Sequence, residues 1–187
     1  DFPDYFFEKR VHRIRRIRPV AEDLNTLVEL ILASKRPMII CGGGVRYSEA
    51  GETLERFAEA FKIPFGETQA GKSACRSSHP YNLGGVGVTG NSAANTIARG
   101  ADLVISVGSR LSDFTTGSKE LYGDTKLVSI NISAFDAAKM DAVMVVADAK
   151  AALEDAEAAL AAKGYVSGWN GEVEQAKKAW NDEYSRL

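Results

Sequence analysis

Cysteine and histidine are both scarce in this 187-residue chain. Cys41 and Cys75 are the two cysteines, too few for a disulfide framework. Cys41 falls in an apolar run that reads as a buried strand, so both are expected to be reduced cytosolic thiols. His12 and His79 stand alone, no His/Cys cluster has metal spacing, and no G-x-S-x-G elbow occurs. Acid–base, nucleophilic and metal chemistry therefore find little to work with. No apolar stretch nears the ~20 residues that span a bilayer, and no signal-peptide pattern opens the chain. Neither sign of charge dominates: 23 Lys and Arg against 25 Asp and Glu leave −2, which gives no overall pull toward nucleic acid or acidic membranes. These absences point to a cytoplasmic protein without a membrane or nucleic-acid partner. With Asp1 rather than Met in first place, the chain reads as a piece of a longer protein.

What is abundant is a repeat of short apolar runs that stop at glycine or a small polar residue. Met38–Cys41 ends at Gly42-Gly43-Gly44, Leu103–Val107 at Gly108-Ser109-Arg110, Leu127–Ile132 at Ser133, and Val143–Ala147 at Asp148. Runs without polar alternation suit strands buried on both faces, hence a parallel sheet covered by helices. In such sheets ligands sit in the crevice outside the strands' carboxyl ends. Ile63–Phe65 reads as a further strand.

Helical stripes alternate with these runs. One is Val20, Leu24, Leu27, Val28, Ile31 and Leu32; a second, starting near Ser48, is Ala50, Leu54, Phe57, Ala58 and Phe61. A third is Ala149, Leu153, Ala156 and Leu160. A shorter helix is expected to begin at Asn91 or Ser92 and to stop at Gly100 as its C′ residue. The alternation predicts an α/β doubly covered sheet of about six strands over residues 20–163. Residues 1–19, with Lys9, Arg10, Arg13, Arg15, Arg16 and Arg18, read as a basic interdomain linker whose arginines lie on an acidic neighbouring surface. Residues 164–187 read as a linker and a helix striped by Val173, Ala176, Trp180, Tyr184 and Leu187, which either docks on this domain or leads into the next.

Four stretches carry possible chemistry. Gly66–Ser73 fits the Walker A letters, but Pro64 in the preceding strand and Ser77-Ser78-His79-Pro80 after it favour a tight turn over a phosphate loop. Gly42–Gly44 ahead of a helix could approach an anion closely, yet Tyr47 stands where a dinucleotide fingerprint needs glycine, so a turn without ligand competes with a nucleotide crevice. Gly84–Gly90 reads as a flexible loop, either an anion site or a surface facing a neighbouring domain. Arg110 should stand in the crevice, free to grip phosphate or carboxylate, or else paired with Asp113.

The ordered series Arg36-Pro37-Met38-Ile39-Ile40-Cys41-Gly42-Gly43-Gly44-Val45, Gly71-Lys72, Leu83-Gly84-Gly85, Gly90 and Ala101–Arg110 resembles the middle domain of thiamine-diphosphate enzymes such as acetolactate synthase, pyruvate oxidase and benzoylformate decarboxylase. Finer features resemble a branch of that family that opens a cyclic diketone ring by carbon–carbon hydrolysis in inositol breakdown. They are Tyr5–Ile14, Glu67–Ser73, Asn82–Gly90 and Asp113-Phe114-Thr115-Thr116. The resemblance implies a Rossmann-like fold serving as scaffold. Thiamine diphosphate and magnesium would be held by flanking pyrimidine- and diphosphate-binding domains, in a homo-oligomer. The Gly-Asp-Gly…Asn motif of the family is absent here, since Gly123-Asp124 is followed by Thr125. The piece by itself is thus expected to be inactive. Some relatives hold FAD or ADP in the middle-domain crevice. Carried over by position, those contacts fall on Gly42, Gly43, Gly44, Gln69, Gly71, Lys72, Ser109, Arg110, Asp113, Asn131 and Asp148. Asn131 replaces an aspartate common there, so no cofactor is expected in the crevice.

Overall fold

The computed structural model describes residues 1–186, so Leu187, the last member of the final stripe, lies outside them. The elements in chain order are α1 (Ala21–Ala33), β1 (Pro37–Cys41), α2 (Gly43–Tyr47), α3 (Gly51–Phe61), β2 (Phe65–Glu67), β3 (Asn82–Gly85), α4 (Ser92–Gly100), β4 (Leu103–Val107), α5 (Asp113–Thr116), β5 (Lys126–Asn131), α6 (Ala134–Ala137), β6 (Val143–Val146), α7 (Ala149–Ala161) and α8 (Glu172–Tyr184). All six strands are parallel in the order β3-β2-β1-β4-β5-β6. The order reverses between β1 and β4, which places a crevice at their carboxyl ends.

Alternation along each strand divides the core between the two faces. Ile39, Cys41, Leu103, Ile105, Val107, Val128 and Ile130 meet α1, α3 and α7 through Leu27, Ile31, Leu54, Phe57, Leu153 and Leu160. Met38, Ile40, Val104 and Leu127 face the other way, onto Ala94, Ile97 and Ala98 of α4 and Val173 of α8. Each fully buried Leu, Ile or Phe contributes about 1.5–3 kcal/mol, so both helical layers are needed.

Several expectations shift. The strand predicted at Ile63–Phe65 forms at Phe65–Glu67 instead. Pro64 has no N–H for the ladder, although its carbonyl accepts from Ile39 N at 2.9 Å. The front of the glycine-rich stretch is not loop but the edge strand β3, whose Asn-Leu-Gly-Gly lacks any apolar signature. The helix expected from Ser48 starts at Gly51 as α3, and a short helix not foreseen, α2, precedes it, with Glu49 at φ 54° between them. Asn91 caps α4 as expected, its side chain accepting from Ala94 N. Gly100, however, ends α4 inside the helix, and the C-cap Ala101 is extended because Asp102 N already bonds Arg36 O at 3.0 Å on the way into β4. At the carboxyl end α8 docks on α4, with Val173 buried.

Candidate functional site

The crevice begins where the turns after β1 and β4 touch. A Cβ on Gly42 would lie 2.3 Å from Gly108 O, one on Gly44 2.6 Å from Gly108 Cα, and Gly108 itself sits at φ +62°. Close backbone contact thus accounts for these glycines. It also engages their donors: Gly42 N bonds Val107 O at 2.8 Å, Gly44 N bonds Gly108 O at 2.9 Å, and Gly108 N bonds Ile130 O at 2.8 Å.

On one side of this contact lies a cleft of about 370 Å³, into which the site prediction brings Gly43, Gly44, Gln69, Ser109 and Arg110. Gln69 Nε2 donates to Thr89 Oγ1 at 3.0 Å, tying the β2 and β3 loops across one wall. Ser109 Oγ accepts from Leu111 N at 3.2 Å. Arg110 is exposed on the wall, whereas Asp113 stands in the first turn of α5 outside it; among the described residues no ion pair joins them. Sequence reasoning missed Tyr47, Thr68, Thr89, Ser112, Phe114 and Thr115, which also line the cleft. Thr68, Thr89, Phe114 and Thr115 fall within stretches that carry the family resemblance, while Tyr47 and Ser112 had only a positional signal, each lying beyond a strand's carboxyl end.

On the other side a cavity of about 290 Å³ holds Gly44, Asn131 and Asp148. Asn131 Nδ2 donates to Ser109 O at 3.0 Å and its Oδ1 accepts from Ser133 N at 3.0 Å, so the amide is committed within the turn. Asp148 accepts from Arg16 Nη1 at 2.9 Å, Ser48 Oγ at 2.9 Å, Lys150 N at 3.1 Å and Ala151 N at 3.2 Å. Burial pushes this carboxyl up, but the Arg16 guanidinium, the Ala151 N–H and the Ser48 hydroxyl hold it below the usual range. Arg16 belongs to the basic run, and Arg18 pairs with Asp155 in the same way, so these two arginines do lie on acidic neighbours.

Gly42, Gly71 and Lys72 fall outside both spaces. Gly71 N bonds Thr68 O at 3.0 Å, and a Cβ there would strike Cys41 O at 2.1 Å. No helix follows the Walker-like letters; turns run on from Thr68 and Ser73 has φ 65°. That stretch closes around Glu67, which is buried with Oε1 unpartnered. Burial raises this carboxyl, opposed by the Lys72 ammonium, the Asn82 amide, and the Cys75 and Ser73 N–H groups that face it. Within the loop, Gly71 N and Ala74 N bond Thr68 O and Gly71 O, so these donors are spent on the turn itself.

Cys41 and Cys75 are buried, and the Cys41 thiol is pushed well up by its contact with the Cys75 thiol and by burial, which leaves it a poor nucleophile. His79 is buried away from the cleft, its Nδ1 accepting from Tyr81 N at 3.3 Å, and burial lowers its proton affinity. Among the described residues no group of three His, Cys, Asp or Glu could hold a metal. A diphosphate finds one cation in the cleft wall, Arg110, and the Gly44 and Gly108 N–H groups already engaged, so these residues do not fit thiamine diphosphate.

Residues 24–156 match the family model described as thiamine pyrophosphate enzyme, central domain. Over its whole length the chain is 59% identical to 3D-(3,5/4)-trihydroxycyclohexane-1,2-dione hydrolase of Bacillus thuringiensis (strain Al Hakam) and covers 29% of it. The like-named protein of Geobacillus thermodenitrificans is 57% identical, again with 29% covered, and that of Clostridium perfringens (strain ATCC 13124) 56% identical with 30% covered. The chain thus spans less than a third of these relatives. Among solved structures, a protein from Mycobacterium smegmatis described as thiamin diphosphate-dependent superposes with a TM-score of 0.65 at 25% identity, over 80% of this chain and 30% of that one.

Proposed function

Because the chain belongs to the thiamine pyrophosphate enzyme family, as its central domain, we propose that it is the scaffold of a larger hydrolase. That hydrolase cleaves a carbon–carbon bond of a trihydroxycyclohexanedione ring in inositol breakdown. The observation that carries this reading is identity of 56–59% along the entire chain with hydrolases of that name. When bound, thiamine diphosphate supplies an electron sink for the bond broken beside a carbonyl. With magnesium, it is held by domains flanking this one. The chain's own part is mechanical. Its crossing turns at Gly42–Gly44 and Gly108 set a rigid carboxyl edge from which Tyr47, Val88, Phe114, Ile132 and Phe135 project, each at least half exposed. We assign these apolar side chains to contacts with the flanking domains or a second copy in a cytoplasmic homo-oligomer, reached through the linker of residues 1–19 and the segment 164–187. Among the described residues no helix is long and apolar enough to cross a membrane.

The test compares the parent enzyme, supplied with thiamine diphosphate and magnesium, against the 187-residue chain alone. Ring opening of the trihydroxycyclohexanedione is expected from the first and not the second. Turnover by the chain alone refutes the scaffold role, and failure of the parent refutes the substrate. Calorimetry with ADP and FAD addresses the crevice: no saturable heat is expected, and micromolar binding favours an independent nucleotide-binding module.

A further inference from the structure

The segment Ile14–Arg18 crosses the outside of the β5/β6 end of the crevice and roofs the 290 Å³ cavity, with Ile14, Arg15 and Arg16 above and Tyr47, Ile130 and Ala147 among the residues below. Every residue from Asp1 to Arg18 is exposed, and Val11, Ile14 and Ile17 keep 84%, 75% and 50% of their surface in water. No apolar anchor therefore holds this arm. Polar contacts do: Arg16 Nη1 donates to Asp148 and, at 3.2 Å, to Tyr47 O, and Arg16 Nη2 lies 3.7 Å from Glu49. Arg18 pairs with Asp155, and Asp148 N donates to Ile17 O at 2.8 Å.

The side-chain cap of α7 is complete without the arm, although Asp148 N then loses Ile17 O as its acceptor. With Arg16 removed, Asp148 still accepts from Ser48 Oγ and from the Lys150 and Ala151 N–H groups, so α7 keeps its cap and the buried carboxylate keeps partners. Release costs the Arg16 and Arg18 ion pairs and the Ile17 O acceptor of Asp148 N and leaves the α7 cap in place, a small contact set of the kind that opens locally. We propose that Ile14–Arg18 is a releasable strap. Seated through Arg16 on Asp148, it seals the β5/β6 end of the crevice and fixes the direction in which the preceding chain leaves the domain. Released, it uncovers Asp148, Ile130 and Ala147 together while the domain stays folded. This holds whatever reaction the parent protein carries out.

Amide hydrogen exchange in the 187-residue chain tests it, because the Asp148 N–H reports the strap directly through Ile17 O. In Arg16→Gln that amide should exchange about tenfold faster, while Ala152 and Leu153 within α7 stay unchanged. Ionic strength near about 1 M, where screening acts within about 3 Å, should move the unmodified chain toward the variant. Equal Asp148 exchange in both chains overturns the strap, as does equal acceleration throughout α7, which would make Arg16 a structural part of the domain.

Discussion

Two stretches outside the helical stripes, residues 1–19 and 164–171, are attached to opposite edges of one sheet by different physics. The first meets the carboxyl edge through Ile14–Arg18, is wholly exposed as far as Arg18, and is fastened by two guanidinium–carboxylate pairs and the Asp148 N bond to Ile17 O. The second runs along the amino edge and is fastened mainly by uncharged bonds, with the Arg36 guanidinium also over the Trp169 ring at 5.7 Å. Tyr165 OH donates to Ser34 O at 3.0 Å, Ser167 N to Phe61 O at 2.9 Å, Gly168 N to Lys35 O at 2.6 Å and Trp169 Nε1 to Pro37 O at 2.8 Å. Trp169 is 9% exposed and joins the core beneath α8. Burial of Trp169 makes the second attachment part of the fold, while the first rests on exposed side chains of the arm and is the more adjustable.

The comparison is tested most severely at Trp169. Trp169→Ala removes a buried ring and leaves Pro37 O without its indole partner, and should cost about 3–5 kcal/mol in urea unfolding. A loss below about 1 kcal/mol would reduce the amino-edge segment to a decoration like the arm. Asp148→Ala should cost about 2 kcal/mol, because it removes the α7 cap and strands the Ser48 hydroxyl together with Arg16. Arg16→Gln, which spares the cap, should shift the same transition much less, and equal losses would place the arm inside the fold.

Why one attachment was legible and the other not follows from the residues. Apolar runs announced β1, β4, β5 and β6 to within a residue or two; β1 and β4 are buried on both faces, whereas the edge strand β6 exposes Met144 despite its apolar letters. β3 was invisible: an edge strand ending in two glycines is held by backbone bonds to β2, which composition does not report. Gly42, Gly44 and Gly108 were conspicuous, but letters cannot say whether a glycine admits a ligand or a neighbouring strand's turn, and here the turn is what it admits. Thr68 and Phe114 stand inside stretches that carry the family resemblance, yet nothing in those letters marks them or Tyr47 as cleft lining, because a loop position gains its role from the strand end that displays it. Trp169 looked like a linker residue since its partners, Pro37 and α4, lie far away in the sequence.

Acid sharpens the contrast further. Folded Asp148 takes up its proton less readily than the unfolded chain does, so protonation favours unfolding. Its stabilisation is complete above the ordinary carboxylate range, about pH 4, and is lost as pH falls through the lower folded value. Asp102 behaves alike at the amino edge, where burial is outweighed by the Ser34 hydroxyl and the Lys35 and Arg36 N–H groups. Thermal unfolding should therefore weaken below about pH 4, and Asp148→Asn should flatten that decline. Glu67 runs the other way: its raised value adds stability below the ordinary range that disappears as pH climbs through the folded value. An unchanged slope in Asp148→Asn would mean that Arg16 does not hold this carboxyl.

The smallest effect is the most diagnostic of the arm. Deleting residues 1–13 removes only exposed side chains, including Phe2, Phe6 and Phe7 at 77%, 60% and 78% exposure, and leaves Arg16, Ile17 and Arg18 in place. Stability should change by no more than about 0.5 kcal/mol, the range for surface changes away from caps and cores. Deleting through Arg18 additionally removes the ion pairs to Asp148 and Asp155 and the Ile17 carbonyl that accepts from Asp148 N, and should cost somewhat more. If the shorter deletion already lowers stability by about 2 kcal/mol, the aromatic start of the chain must pack somewhere on the domain, and the polar contacts of Arg16, Ile17 and Arg18 could no longer explain why the arm stays in place.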